Sequence, residues 1–223
     1  MFESKYSKLL TTLLIVGIII ILAVLLLLGF FTIKNSRIDS DAKDAVDKFQ
    51  DQLNEISKNE QEGNAIIGNI ISPDIGIENI IGGDSSSNNI NTYKGFPMVG
   101  TIEIPAIDLK YPVLQDASKS AMEVSVGIYD GPGLNVVGNT TIAGHNYRDG
   151  RFFSKNKNLV EGDKIYITDL SGKRIEYIIY KTYTTSPEDS SYLDRDTQGK
   201  REISLTTCTD DAQSRLIIWA KEN

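Results

Sequence analysis

The chain lacks residues on which several classes of protein depend. Its 223 residues include one cysteine, Cys208, so no disulfide can form within the chain. Acids outnumber bases, with 30 Asp and Glu against 23 Lys and Arg, and the bases form no cluster typical of a nucleic-acid-binding surface. Only six prolines occur and 40% of residues are hydrophobic, which is typical of a globular protein. We therefore expect a folded protein that does not bind nucleic acid.

Charge is missing from one long stretch near the N-terminus. Leu9–Ile33 is almost entirely apolar, and it exceeds the roughly 20 residues that a membrane-spanning helix needs. A signal peptide would have an apolar core of about 7 to 15 residues and a small-residue cleavage site, which this stretch lacks. We therefore predict an uncleaved membrane anchor. The positive-inside rule does not decide its orientation, because basic residues lie on both sides: Lys5, Lys8, Lys34, Arg37, Lys43 and Lys48.

The segment after the anchor is acidic and has the pattern of a helix. Asp39–Glu62 holds eight acids and three bases, a net charge of −5 out of the chain's −7. We interpret it as a solvated juxtamembrane helix. A dimerising coiled coil is the alternative, although the apolar stripe covers barely two heptads where about three or four are needed. The stripe recurs every three or four positions, at Ala42, Val46, Phe49, Leu53 and Ile56.

A folded domain is expected over Lys94–Asn223. Short runs rich in β-branched and aromatic residues are separated there by Asn, Asp, Gly and Pro, which is typical of β-strands. A turn is predicted at Ser171–Gly172 and one helical turn near Arg151–Lys157. These features predict an all-β fold, a small barrel or sandwich with eight strands. The eight runs are MVGTIEI, IDLKYPVL, VSVGIYD, NTTIAG, DKIYITD, RIEYIIYKTYTT, EISLTTC and SRLIIWAK.

Three candidate catalytic residues follow from these runs. Cys208 ends the seventh run and Arg215 opens the eighth, so antiparallel pairing would place both at the same rim. His145, the single histidine, lies at the end of the fourth run. Each alone is commonly structural, since a lone cysteine is most often a small buried hydrophobe. Together they supply the nucleophile, the proton-transferring group and the fixed cation that acyl transfer requires.

These residues lie in motifs that resemble those of the sortases, membrane-anchored cysteine transpeptidases of Gram-positive bacteria. TIAGHNYRDGRFF is similar to the family's histidine strand and following helix, and SLTTC with Arg215 is similar to its Thr-Leu-x-Thr-Cys strand and arginine. GTIEIPAIDLKYPVLQ and GDKIYI extend the resemblance over Val99–Ala220. Ser204 stands where the family usually has Thr. The resemblance implies an eight-stranded sortase-like β-barrel with short helices, preceded by a transmembrane helix and a helical or flexible linker.

The resemblance also implies how the chain is organised in the cell. Residues 1–8 would be a short cytoplasmic tail and residues 9–33 the single-pass anchor in the cell membrane. Residues 34–93 would form the juxtamembrane helix and linker, and residues 94–223 an extracellular catalytic domain. The sortase class, housekeeping or pilus-building, is left open.

The implied chemistry is cleavage of a Leu-Pro-x-Thr-Gly-like sorting signal between Thr and Gly. Cys208 would form a thioester and His145 would transfer protons. Arg215, with backbone donors around Thr207, would stabilise the oxyanion or position the peptide. The partners would be surface proteins bearing the signal and an amine of a peptidoglycan precursor or a pilin. No cofactor and no metal ligand is predicted, and calcium dependence is left open.

The protonation state of the catalytic pair is also left open. An ordinary thiol has a pKa of about 8.5 and an ordinary imidazole one of about 6.5, so on the order of 1% of such pairs carry both charges at about pH 7.5. Reverse protonation and a preformed ion pair are both compatible with the sequence.

Two other functions compete with this interpretation. An L,D-transpeptidase-like thiol enzyme acting on peptidoglycan would also pair His and Cys on a β scaffold, but its usual Ser-x-Gly-Cys pattern is absent from LTTCT. An inactive, membrane-tethered binding module would tolerate loss of Cys208, His145 or Arg215, and all three are present.

An isoleucine-rich segment, Ile66–Gly83, precedes a polar Ser/Asn tract. Its eight isoleucines alternate with Gly, Asn and Pro, which argues against a long regular element. Each isoleucine left in water forgoes about 1.5 to 3 kcal/mol of burial. We therefore expect the segment to pack on the barrel, with a turn at Ser72–Asp74. A lid over the substrate groove and a plain tether are the alternatives.

Overall fold

The structure is a computed structural model that describes residues 2–69 and 92–223. The packing predicted for Ile66–Gly83 and the turn predicted at Ser72–Asp74 lie outside the described residues, whereas the backbone of residues 66–69 continues α1. The described elements include two α-helices, α1 (Phe2–Asn69) and α2 (Lys119–Met122), and short 3-10 helices at Pro105–Ile107 and Phe153–Asn158. The described strands are β1 (Thr92–Tyr93), β2 (Phe96–Ile104), β3 (Leu109–Leu114), β4 (Val126–Asp130), β5 (Gly138–Ala143), β6 (Lys164–Asp169), β7 (Arg174–Thr185), β8 (Arg201–Cys208) and β9 (Arg215–Glu222).

Eight of these strands close into a barrel. Neighbours follow the order β2-β3-β4-β5-β8-β9-β7-β6, and β6 pairs with β2 to complete the ring. The β3–β4 and β5–β8 pairs are parallel, and the other pairs of the ring are antiparallel. The short strand β1 pairs with β2 alone. Each predicted run overlaps one barrel strand, so the prediction of an eight-stranded all-β barrel is confirmed.

The barrel core is built from β-branched and leucine side chains at alternating strand positions. In β6, for example, Ile165 and Ile167 are buried, whereas Lys164 is exposed and Tyr166 is half-buried. This alternation is the two-residue period of a strand. Full burial of one such side chain stabilises the fold by about 1.5 to 3 kcal/mol. The buried strand residues include Ile102, Ile104, Val113, Ile142, Ile165, Ile167, Ile179, Ile203, Leu205, Ile217 and Ile218.

The predicted turn and the predicted helical turn are both present. Asp169 N donates to Lys173 O at 3.1 Å and closes the β6–β7 connection. Gly172 has a φ of 79° there, a conformation that glycine adopts without steric cost. The helical turn expected near Arg151–Lys157 is the 3-10 helix at Phe153–Asn158.

The described chain divides into two compact units, Met1–Ser40 and Asp41–Asn223. In the first unit, the 23-residue stretch Lys8–Phe30 is long and apolar enough to cross a membrane, and its most apolar 18-residue window has a mean hydropathy of 3.4. None of that stretch is buried within the molecule. The second unit contains the barrel together with the part of α1 that begins at Asp41.

This part of α1 packs against the barrel, so the interpretation as a solvated helix was wrong. Ala42 and Val46 are fully buried and Phe49 is 2% exposed, whereas Ile56 at the end of the stripe is 44% exposed. The stripe is therefore covered by the same chain and not by a second copy. The sequence showed the stripe but not its partner, because that partner is assembled from separate elements: Tyr93, Met98, Leu114 and Ala121.

Three ion pairs between α1 and the barrel lie beside this cluster. One partner of each pair is more than half exposed, and exposed ion pairs contribute only about 0 to 1 kcal/mol. The apolar stripe therefore supplies most of the stabilisation. The pairs are Lys43–Asp108 at 2.8 Å, Lys94–Asp41 at 3.0 Å and Lys110–Asp47 at 2.6 Å.

Replacing Phe49 with alanine is expected to destabilise the second unit. Loss of a buried phenylalanine costs about 3 kcal/mol or more, which corresponds to a fall in Tm of roughly 10 °C for a unit of this size. Thermal unfolding of the full chain in detergent, followed by near-UV circular dichroism, measures this change. Ile56→Ala is the matched control, because Ile56 is exposed and its loss should change stability by less than about 0.5 kcal/mol. Equal Tm values for both variants would contradict the packing of α1 on the barrel.

Candidate active site

The end of β8 and the start of β9 bring Cys208 and Arg215 together. The two strands are antiparallel, and these residues are directly opposite in the register, as the short connection between them predicts. Arg215 Nη1 donates to Cys208 Sγ at 3.3 Å. The connecting loop is closed by Thr209 N, which donates to Ser214 O at 3.0 Å. The hairpin therefore holds a guanidinium against the partly exposed thiol.

His145 reaches the same rim along the parallel pair β5–β8. Ala143 is in register with Thr206. Two residues further along each strand direction, His145 is therefore level with Cys208. The pairing continues beyond β5, because Gly144 N donates to Thr206 O at 3.2 Å. The parallel register therefore places the imidazole and the thiol at one end of neighbouring strands.

Gly144 is needed for the backbone to pass close to the core at this point. A Cβ atom there would lie 2.8 Å from Phe153 Cδ2 and 2.8 Å from Val126 Cγ1, closer than such contacts occur. Phe153 is fully buried, and its amide donates to His145 O at 3.1 Å. The 3-10 helix that begins at Phe153 therefore supports the histidine segment from the core side.

Thr207 connects the histidine segment to the cysteine strand. Its side chain is buried, and its hydroxyl donates to Gly144 O at 2.7 Å. The hydroxyl is therefore occupied in holding the backbone before His145. The oxyanion role expected of the backbone around Thr207 stays a prediction.

One cavity, of about 240 Å³, is lined by all the predicted site residues. Cys208, His145, Arg215 and Thr207 all line it. Its other walls come from α2, β4 and the connection between β7 and β8, which are distant in sequence and carry no motif. Sequence reasoning missed these wall residues for that reason: Met122, Tyr129, Pro187 and Tyr192.

The surroundings of His145 favour its neutral form. Burial lowers the pKa of the imidazole below its usual value, and the carboxylate of Glu123 opposes this by raising that pKa. The ring of Tyr147 lies 5.0 Å from the imidazole ring, centroid to centroid. At neutral pH the side chain is therefore suited to accept a proton.

A second cavity, of about 360 Å³, also reaches Cys208. Asn146 lines it and donates to both Cys208 O at 3.0 Å and Asp210 Oδ1 at 2.9 Å. Lys157 pairs with the same aspartate at 2.6 Å. Asn146, the residue directly after His145, is thereby joined to the backbone of Cys208. Its position next to His145 is the signal that sequence reasoning overlooked. Within residues 2–69 and 92–223, no group of three or more His, Cys, Asp or Glu side chains could hold a metal ion.

The part of the chain that contains this site matches a known family. The model of the sortase domain matches residues 102–223. Sortase A of Streptococcus agalactiae is 27% identical over 154 residues, which cover 66% of this chain and 59% of that protein. Sortase D of Bacillus subtilis is 30% identical over 128 residues, which cover 55% of this chain and 62% of that protein. The chain thus spans less than two thirds of either relative.

Solved structures share the barrel. Sortase A from Corynebacterium diphtheriae is 28% identical with a TM-score of 0.53, over 57% of this chain and 61% of that one. A sortase D5 transpeptidase from Clostridium perfringens has a TM-score of 0.58 over 82% of this chain and 99% of that one. Its identity is 22%, so this second likeness concerns the fold alone.

Proposed function

The chain belongs to the sortase family, and on that premise we propose that it is a cysteine transpeptidase that acts on an LPxTG-like sorting signal. The observation that carries the proposal is the thiol of Cys208, which lies 3.3 Å from Arg215 Nη1 in a cavity that His145 also lines. A cysteine with only a packing role would be buried among apolar side chains. Here Cys208 is partly exposed, with its thiol in contact with Arg215 and in a cavity that His145 also lines.

In the first half-reaction the proton of the Cys208 thiol passes to His145, and the thiolate Sγ attacks the carbonyl carbon of the Thr–Gly peptide bond. The carbonyl oxygen becomes an oxyanion, which Arg215 and backbone donors around Thr207 stabilise. The C–N bond then breaks, and His145 gives a proton to the departing glycine amine. The product is a thioester that joins the threonine acyl group to Cys208.

In the second half-reaction an amine of a peptidoglycan precursor or of a pilin attacks the thioester carbonyl. His145 takes the proton that this amine loses, and the C–S bond breaks to return the thiolate. The surface protein is then joined to the acceptor by a new amide bond. No external oxidant or reductant is required.

The proposed placement follows the substrates. Residues 9–33 would anchor the chain in the cell membrane, with residues 1–8 in the cytoplasm and residues 94–223 outside. Surface proteins and cell-wall amines meet on that outer side. The long apolar stretch Lys8–Phe30 supports the anchor.

Trapping of the thioester tests the proposal. The full chain in detergent is incubated with a library of sorting-signal peptides, with and without triglycine as the amine acceptor. We expect an acyl adduct on Cys208 by intact mass, removed by hydroxylamine, and a new amide product when triglycine is present. If no peptide of the library forms an adduct, the proposal is overturned.

The activity should depend on Glu123 through the pKa of His145. The reactive form contains a thiolate and an imidazolium, so in a reverse-protonated pair the acid limb of kcat/KM follows the imidazole pKa. Glu123 raises that pKa, so Glu123→Gln should move the acid limb to lower pH and reduce the maximal rate. Peptide cleavage measured from about pH 4.5 to 9 gives the profile.

Glu55→Gln is the control for this measurement, because Glu55 is an exposed carboxylate on α1. Its profile should coincide with that of the unmodified chain. An acid limb that moves to higher pH in the Glu123 variant would contradict the assignment of His145 as the titrating acid.

A further inference from the structure

The connection between β7 and β8, residues 186–200, forms one wall of the cavity around Cys208. Pro187 and Tyr192 from this loop line the cavity, and Tyr192 is 6% exposed. Backbone hydrogen bonds of its turns, such as Leu193 N to Ser190 O at 3.0 Å, join near neighbours. Such bonds fix the local shape of the loop. The backbone bond from Gly138 N to Lys200 O at 3.0 Å holds only the end of the loop on the barrel, so side chains hold the part that lines the cavity.

Three polar side chains connect the loop to the barrel in one hydrogen-bonded chain. Arg195 Nη1, in the loop, donates to Ser204 Oγ on β8 at 2.5 Å. Ser204 Oγ donates to Asn139 Oδ1 on β5 at 3.0 Å. Asn139 Nδ2 then donates back to the loop, to Tyr192 O at 3.1 Å and Leu193 O at 2.9 Å. Ser204 is fully buried and Asn139 is 7% exposed, so these bonds form away from water.

A buried ion pair fixes the other side of the arginine. Arg195 Nε and Nη2 donate to Glu202 Oε2 at 3.0 and 2.6 Å, and both side chains are 11% exposed. The guanidinium also lies 4.3 Å from the ring centroid of Trp219. Tyr180 donates to the same carboxylate at 2.7 Å, and burial together with this bond raises the pKa of Tyr180 to about 12. The planar guanidinium of Arg195 can donate to Glu202 and Ser204 at the same time, whereas the ammonium group of a lysine cannot keep this geometry.

We propose that Arg195, Ser204 and Asn139 are positioning residues that set where Tyr192 stands in the cavity and thereby set the affinity for the peptide substrate. The link to a peptide rests on the proposed function, whereas the positioning of the loop does not. Ser204 and Cys208 are on the same strand, so these hydrogen bonds connect the loop to the strand that carries the thiol. Because the three residues act on the loop and not on reacting atoms, their loss should change KM more than kcat.

Ser204→Ala removes the hydroxyl that joins Arg195 to Asn139, with the smallest change in side-chain volume. We expect backbone hydrogen exchange of residues 187–193 to rise about tenfold and KM for a sorting-signal peptide to rise about tenfold, the scale of one buried hydrogen bond. The kcat should stay within about twofold. Ser204→Thr keeps the hydroxyl and should behave like the unmodified chain. Arg195→Lys, which keeps the charge beside Glu202 but not the fork of donors, should reproduce the alanine result.

A second arginine offers a matched control. Arg174 pairs with Glu103 at 2.8 Å, lies 4.5 Å from the ring centroid of Tyr166, and donates to the buried Thr168 hydroxyl at 3.4 Å. It begins β7, whereas Thr185 at the other end of that strand pairs with Arg215. Arg174→Lys should therefore leave both the loop exchange and KM unchanged.

The readouts separate the positioning from the function. Unchanged exchange of residues 187–193 in both Ser204→Ala and Arg195→Lys would overturn the proposal, and so would an equal rise in Arg174→Lys. Raised exchange with an unchanged KM would overturn the link to substrate affinity. Raised exchange in a chain whose unmodified form cleaves no peptide would support the positioning and overturn the transpeptidase function instead.

Discussion

Replacing Cys208 with alanine is expected to abolish both peptide cleavage and thioester formation. The chain has no second thiol, so no other residue can form a thioester. Removal of a covalent nucleophile costs on the order of 10⁶-fold in rate, which places the variant below detection. The fold should survive, because the side chain is only partly buried and its contact with Arg215 is at the rim of the barrel. Intact mass and fluorogenic peptide cleavage measure the two losses.

Two controls accompany the alanine variant. Its Tm and near-UV spectrum should match those of the unmodified chain, which separates loss of chemistry from loss of folding. The unmodified chain treated with a thiol-blocking reagent should lose activity to the same extent, since Cys208 is the one thiol available. An acyl adduct on the alanine variant would show that another residue is the nucleophile.

Replacing Arg215 with lysine is expected to reduce kcat/KM by about 100-fold, the scale found when one donor to an oxyanion is removed. Lysine keeps the positive charge but loses the planar fork of donors, one of which lies 3.3 Å from the thiol. Separate values of kcat and KM assign the role. A fall in kcat indicates stabilisation of the oxyanion, and a rise in KM indicates positioning of the peptide.

Arg201→Lys is the matched control for this variant. Arg201 begins β8, the strand that ends at Cys208, and pairs with Glu222 at 3.0 Å. Its replacement should change kcat/KM by less than about twofold, because the site lies at the other end of the strand. Nearly full activity of Arg215→Lys would mean that Arg215 acts as a simple point charge.

Local patterns in the sequence predicted most of the barrel and part of the geometry of the candidate site. The eight strands are short runs of β-branched residues between turn formers, and both signals depend on near neighbours. The pairing of Cys208 with Arg215 followed from the short connection between two strands. His145 could be placed at a strand end, but its position in the same cavity as the thiol needed the parallel β5–β8 pair, which no local pattern shows.

Contacts between distant segments could not be predicted in this way. The apolar stripe with Phe49 was recognised, yet its partner surface includes residues of β1, β2, β3 and α2. The cavity walls contributed by Met122, Tyr129 and Tyr192 have no motif at all. The same is true of the Arg195 network, because an arginine in a polar loop usually indicates a solvated charge.

The β8–β9 hairpin also has a consequence for the order in which the chain acquires its chemistry. Cys208 and Arg215 are 7 residues apart, so their contact needs the closure of one short loop, an event on the microsecond scale. The histidine segment joins the cysteine through residues 62 positions apart, such as Asn146 and Cys208, and its entropy of closure is correspondingly larger. A nascent chain in which the hairpin has formed but the β5–β8 pair has not would therefore carry the thiol with its arginine and without the histidine that we propose as its proton donor. Under the proposed mechanism such an intermediate could not complete acyl transfer, so the candidate site would become competent only as the barrel closes.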